Sequence, residues 1–187
     1  FLNQGQICLC GSRIFIEKVV YKKFKSLFVQ KTKALIVGDP KNKNSFLGAV
    51  VSKDHMKSIL NKISSAKRDG GVVLAGGNRL LFPGKLKGGY FIEPTIIEGL
   101  SYLSSTNQEE IFGPVVCLIP FEEEEEVVKM ANSTIYGLSA SIFTENISRA
   151  HRVASKIKSG VVWINSWLIR DLRIPFGGMK SSGLGRE

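Results

Sequence analysis

Residues 52–75 read SKDHMKSILNKISSAKRDGGVVLA, and this stretch decides the fold. Met56, Ile59, Leu60, Ile63 and Ala66 fall at i, i+3, i+4, i+7 and i+10, which is the apolar stripe of an amphipathic helix. Ser52 stands where an N-cap oxygen is needed. Asp69-Gly70-Gly71 closes the helix, and Val72-Val73-Leu74-Ala75 reads as a strand buried on both faces. Helix, glycine turn and apolar strand in succession form one unit of a helix-covered sheet.

The same alternation extends to both sides. Arg13-Ile14-Phe15-Ile16-Glu17 alternates as a short strand, and Tyr21, Phe24, Leu27, Phe28 and Leu35 follow a helical stripe ended by Gly38-Asp39-Pro40. The Gly- and Lys-rich stretch 76–89 reads as an exposed loop. Strands are expected at about 90–97, 115–119, 139–143 and 161–164, and helices at 122–131 and 147–158. Five glutamates, 122–126, open the first of these helices, where acids favour the positive end of its dipole. The expectation is an α/β fold: a three-layer domain with a mainly parallel twisted sheet flanked by helices. No repeat, linker or second composition regime divides the chain, so one domain over 1–187 is expected.

With 187 residues, 43% of them hydrophobic and 22% charged, the composition is globular rather than disordered. The chain starts Phe1-Leu2-Asn3, with neither an initiator Met nor a targeting signal, which is expected of a piece of a longer chain. No apolar run approaches the roughly 20 residues of a bilayer span, so no membrane partner is expected. Three cysteines are too few and odd in number for a disulfide framework and suit free thiols in a reducing, cytoplasmic setting. The net charge of +10 raises nucleic acid as a partner. Residues 1–90 carry 17 basic and 4 acidic side chains, residues 91–187 carry 9 and 12. The lysines lie between apolar positions of helical period, which makes them a solvated face; no nucleic-acid partner is expected.

Taken by themselves, few residues announce chemistry. Cys8 lies in a polar, Gly-containing stretch before the first strand, but a free cysteine is usually a packing residue. Neither Cys8-x-Cys10 nor Cys117, which falls inside a strand, completes a metal set, so no metal is expected. His55 and His151 both fall on helices and read as solvated histidines rather than bases for a thiol. No Gly-x-Gly-x-x-Gly, phosphate loop or His-Glu-x-x-His occurs.

Four ordered motifs carry a resemblance across the whole chain. Phe1-Leu2-Asn3-Gln4-Gly5-Gln6-Ile7-Cys8 resembles the nucleophile signature of the aldehyde dehydrogenase superfamily. Gly89-Tyr90-Phe91-Ile92-Glu93-Pro94-Thr95 and Glu109-Glu110-Ile111-Phe112-Gly113-Pro114-Val115 resemble two further segments of it. Pro175-Phe176-Gly177-Gly178-Met179-Lys180, with Ser182-Gly183 and Gly185-Arg186-Glu187, resembles its terminal run. The resemblance implies that Cys8 attacks an aldehyde carbon, that hydride leaves the thiohemiacetal to NAD, and that the thioester is hydrolysed to an acid. It implies that the Cys8 N–H helps hold the oxyanion, that Glu110 binds the nicotinamide ribose and that Phe112 lies beside the nicotinamide. Without the resemblance Glu110 reads as a solvated loop acid and Phe112 as core.

The resemblance also implies that 1–187 is the thiol-bearing catalytic domain. The dinucleotide-binding domain, the general base and a terminal pairing strand are then expected outside this chain. Choice between NAD and NADP would rest in that other domain. The isolated 187 residues are expected to be inactive and the full-length enzyme to be a homo-oligomer. Residues 165–174, which would shape the substrate tunnel, contain Arg170 and Arg173. Trp167-Leu168-Ile169-Arg170-Asp171-Leu172, with Cys8-Leu9-Cys10, resembles the branch of the family that oxidises 2-aminomuconic or 2-hydroxymuconic semialdehyde. A guanidinium can hold the remote carboxylate of such a substrate, Arg170 before Arg173, with Phe176 as a tunnel wall. The bland alternative pairs Arg170 with Asp171 or Glu187. The competing functions are a general dehydrogenase of retinal or fatty aldehydes, a basic polyanion-binding module using residues 1–90, and a binding or structural protein without activity.

Overall fold

A computed structural model describes all residues, 1–187. The chain folds as two compact units, Phe1–Pro120 and Phe121–Glu187, where its composition reads as one domain. The boundary falls at the end of a strand, so no Gly- or Ser-rich linker marks it in the sequence.

The first unit starts with a 3-10 turn, Leu2–Gly5, and continues through β1 (Arg13–Glu17), α1 (Lys18–Lys33), α2 (Lys53–Arg68), β2 (Val72–Ala75) and β3 (Arg79–Leu80). A second 3-10 turn (Gly84–Leu86), β4 (Phe91–Ile92), β5 (Thr95–Glu98), α3 (Ser105–Gln108) and β6 (Val115–Phe121) follow. The main sheet has the order β1-β6-β5-β2. It is mixed: β5 and β6 run parallel, with Ile96 opposite Val116 and Ile97 opposite Cys117, while β2 joins β5 antiparallel.

Side chains alternate across a strand, and the alternation sorts the core into two. Ile96, Val116 and Leu118 face one way with Ile16 and Ala75, where Tyr21, Phe24 and Phe28 of α1 cover them. Ile97, Val115 and Cys117 face the other way onto Met56, Ile59, Ile63 and Ala66 of α2. The result is the expected sheet between helices. Ile59 and Ile63 are fully buried, and truncating either to Ala would cost roughly 2–5 kcal/mol.

Several local expectations are corrected. The strand 72–75 is an edge strand, so Val72 stays 53% exposed rather than being buried on both faces. The strand expected at 90–97 is broken, because Pro94 has no N–H for a ladder. Its first half, β4, instead pairs with β3 inside the stretch that reads as an open loop. Helix α1 ends at Lys33, and Val37 then bridges to Leu47.

The second unit contains α4 (Glu124–Ala131), β7 (Tyr136–Gly137), β8 (Ser139–Ile142), α5 (Ile147–Lys156), β9 (Val161–Ile164) and β10 (Met179–Lys180). The glutamate run does open a helix. Glu123 caps α4 and Glu126 folds back on the N-cap N–H, a reciprocal capping box. Arg152 of α5 binds Glu124 through two 2.7 Å bonds, holding that carboxylate below its ordinary pKa. Asn146 caps α5 by accepting from the Arg149 N–H, and β8 and β9 pair in parallel with α5 between them. Lys180 closes the end of α4 by donating to Asn132 O and Thr134 O, both at 2.9 Å. No helix is long and apolar enough to cross a membrane.

Candidate active site

Cys8 sits exposed in a turn that follows the first 3-10 segment. Two glutamines from the same motif pin the approach to it. Gln4 accepts from the Gly48 N–H and donates to Ala49 O, and Gln6 Oε1 accepts from the Val51 N–H at 3.0 Å. Gly5 takes φ +70° and lies so close to Gly113 that a Cβ would overlap its carbonyl. Only glycine fits both the conformation and the space. The turn closes with Cys10 N–H on Ile7 O at 2.9 Å, and the Cys8 N–H has no acceptor within the chain. The Cys8 loop is therefore fixed on both sides of the thiol while thiol and N–H both stay open.

The other two thiols differ. Burial raises Cys10 above its ordinary value and pushes Cys117, in the middle of the sheet, up to about 12. Cys117 is 3% exposed and serves as packing, as its place in a strand suggests. Cys8 is the one exposed thiol.

Gly5 registers this loop against the segment that carries the next two candidates. Glu110 is exposed, and no hydrogen bond or ion pair engages its carboxylate. Phe112 is not core, as its residue type suggests, but 39% exposed at φ +53°. Its carbonyl lies 2.7 Å from His55 Nε2, and the two rings meet edge-on with centroids 6.3 Å apart. An acid with both oxygens free suits the paired hydroxyls of a ribose. A flat apolar ring two residues further on suits a heteroaromatic face. Glu110 and Phe112 thus fit a nicotinamide riboside.

The remaining candidates belong to the second unit. Arg170 does not pair with Asp171 or Glu187; its guanidinium lies 4.6 Å over the ring of Phe176, with no acid attached. Arg173 is the one engaged by Asp171, through Nε at 2.9 Å and a second guanidinium nitrogen at 2.5 Å. That pairing holds the Asp171 carboxylate below its ordinary range and the Arg173 guanidinium above its own, so both charges are committed to each other. Phe176 is fixed by a reciprocal backbone pair with Glu187, 2.9 Å each way. Arg186 reaches the Gly177 carbonyl beside it. So Arg170 and Phe176 are brought together, and Arg173 is drawn into another pairing.

Gln4, Gln6 and His55 are contributors that residue spacing does not announce. The two glutamines lie in the nucleophile motif, but their partners are 45 residues distant along the chain. His55 reads as a solvated helix residue and is half-buried against Phe112.

Residues 1–187 match the aldehyde dehydrogenase family along their full length. The chain is 49% identical over 189 residues to a 2-aminomuconic semialdehyde dehydrogenase of Danio rerio, covering 100% of this chain and 39% of that protein. It is 44% identical to a 4-trimethylaminobutyraldehyde dehydrogenase of Oryzias latipes, covering 100% of this chain and 37% of that protein. The solved betaine aldehyde dehydrogenase of Staphylococcus aureus in complex with NAD+ superposes with a TM-score of 0.93 at 38% identity, covering 99% of this chain and 37% of that one. The chain thus spans less than two-fifths of the length of these relatives.

Proposed function

The chain belongs to the aldehyde dehydrogenase family, and from that premise we propose that Cys8 is the nucleophile in an NAD-dependent oxidation of an aldehyde to a carboxylic acid. The observation that carries the proposal is the loop itself: an exposed thiol with an open backbone N–H beside it, held by Gln4, Gly5 and Gln6. The Cys8 sulfur, as thiolate, adds to the aldehyde carbon: the C–S bond forms as the C=O π pair moves onto oxygen, giving an alkoxide. The Cys8 N–H is free to donate to that alkoxide oxygen, where charge develops. NAD+, when bound, supplies the acceptor for the hydride that must leave the thiohemiacetal carbon. Hydrolysis of the thioester on Cys8 then releases the acid and restores the thiol. Glu110 and Phe112 would hold the nicotinamide riboside by its hydroxyls and its ring face. In this reading residues 1–187 form the thiol-bearing catalytic domain, and alone they produce no steady NADH.

The substrate we propose is a semialdehyde with a carboxylate remote from the aldehyde, of the muconic type. Support comes from Arg170, a guanidinium with no acid of its own, oriented by stacking on Phe176. The 49% identity to a 2-aminomuconic semialdehyde dehydrogenase agrees with it. An aldehyde bearing a trimethylamino group would meet like charge at Arg170, which weighs against the substrate named for the Oryzias latipes relative.

The test is Cys8→Ala in a full-length chain carrying these residues. Acid formation should fall below detection while NAD+ still binds, measured by NADH absorbance and by calorimetry. Normal turnover of that variant would remove Cys8 from the chemistry.

A further inference from the structure

One face of α2 holds the segment that carries Glu110 and Phe112. His55, Ile59 and Lys62 lie at i, i+4 and i+7, in line along the helix. His55 Nε2 is 2.7 Å from Phe112 O. Ile59 packs so closely on Gly113 that a Cβ there would come within 2.6 Å of Ile59 Cδ1. Lys62 pairs with Glu109. Between these three grips, Glu110 and Phe112 keep their side chains exposed.

We propose that His55 is a positioning residue for the cofactor: it fixes the backbone of Phe112, and through it the ring that faces the nicotinamide. This rests on the reading of Phe112 given above. A carbonyl only accepts, so His55 Nε2 must carry a proton and donate. Phe112 needs such a hold, because φ +53° is a strained region for a residue with a Cβ. The histidine's backbone is fixed at the helix start, where its main-chain N–H donates to the N-cap Ser52 Oγ at 3.1 Å. Its ring meets the Phe112 ring edge-on, so that one side chain bonds the backbone and buttresses the ring. Gly113, the next residue, also lies against Gly5, whose Cβ position would overlap the Gly113 carbonyl. The grip of α2 therefore also sets Phe112 relative to the loop that bears Cys8.

The test uses His55→Ala and His55→Gln in the full-length chain, the glutamine amide being able to donate to the same carbonyl. His55→Ala should raise both the Kd for NAD+ by calorimetry and the KM for NAD+ about tenfold. The KM for aldehyde and the alkylation rate of Cys8 should stay as in the parent. His55→Gln should recover most of the NAD+ affinity. In the protein without cofactor, amide exchange at residues 110–113 should accelerate in the Ala variant only. Combining His55→Ala with Phe112→Ala should add nothing to the loss caused by Phe112→Ala alone. An unchanged Kd for NAD+ in His55→Ala, with Phe112→Ala impaired, overturns the positioning role and leaves the cofactor reading intact. Unchanged affinity in both variants overturns the cofactor reading and the inference with it. Equal impairment of the Ala and Gln variants, with a parallel loss of Tm, makes His55 merely structural and also overturns the inference.

Discussion

The loop before Cys8 and the segment around Arg170 are both irregular, yet they are held by different means. Gln4, Gly5 and Gln6 reach across the first unit to residues 48–51 and 113, so the nucleophile loop depends on partners tens of residues away. Residues 169–174 rely on neighbours: Arg173 on Asp171, Arg170 on Phe176, and the Ile169 carbonyl on Trp163 Nε1 at 2.8 Å. Ile169, Leu172 and Ile174 are 71%, 86% and 64% exposed. Under the function proposed above, the difference separates two tasks. A nucleophile must be placed within a fraction of an ångström, and long-range anchoring to a packed sheet supplies that. A segment that selects substrate can change its residues when few distant partners depend on them.

The largest effect should come from disturbing the distant anchors. Gly5→Ala combines a positive φ with overlap on the Gly113 carbonyl, and strain plus overpacking should cost about 2–5 kcal/mol. Because the shift also moves Cys8, kcat/KM in the full-length enzyme should fall about 100-fold or more for every aldehyde tested. Urea melts and rates on a charged and a neutral aldehyde check this together. Near-parental values of both would mean that the loop is no more tightly held than the Arg170 segment.

Arg170→Ala should act selectively instead. Without the charge-assisted hydrogen bonds of its guanidinium, kcat/KM for a carboxylate-bearing semialdehyde should fall about 10–100-fold. A neutral aldehyde should change by less than about threefold, and the melting point should hold, since no acid is left unpaired. Equal reductions on both substrates would assign Arg170 to the fold rather than to recognition.

What the sequence conveys follows the same division. The helix at Met56–Ala66 and the strand at 115–119 are legible because packing on a sheet imposes a period on side chains. The edge position of Val72 is not, because VVLA has the same composition whether one face or two are covered. Cys8, Glu110 and Phe112 have no period to betray them and become candidates only through resemblance. Even resemblance is silent on His55, whose role depends on a bond to a backbone carbonyl 57 residues away. It also leaves Arg170 and Arg173 equivalent as charges, and only geometry separates them.

That separation yields the smallest expected effect. Arg173 already commits its guanidinium to Asp171, and Asp171 also accepts from the Arg173 backbone N–H at 3.0 Å. A carboxylate substrate would have to displace an acid two residues away, which is present at very high local concentration. Arg173→Ala in the full-length enzyme should therefore change kcat/KM for a carboxylate-bearing semialdehyde by less than about threefold, far less than Arg170→Ala. Stability should also barely move. The folded state depresses the Asp171 pKa, so the pair's contribution is present above the ordinary aspartate range and disappears as pH falls through the lowered value. Both groups are exposed, and solvent screens that contribution to a small one. Acid unfolding curves of parent and variant should nearly coincide. If Arg173→Ala instead matched Arg170→Ala on the charged substrate alone, the Asp171 pair would have to open on binding, and the two arginines would act as one clamp.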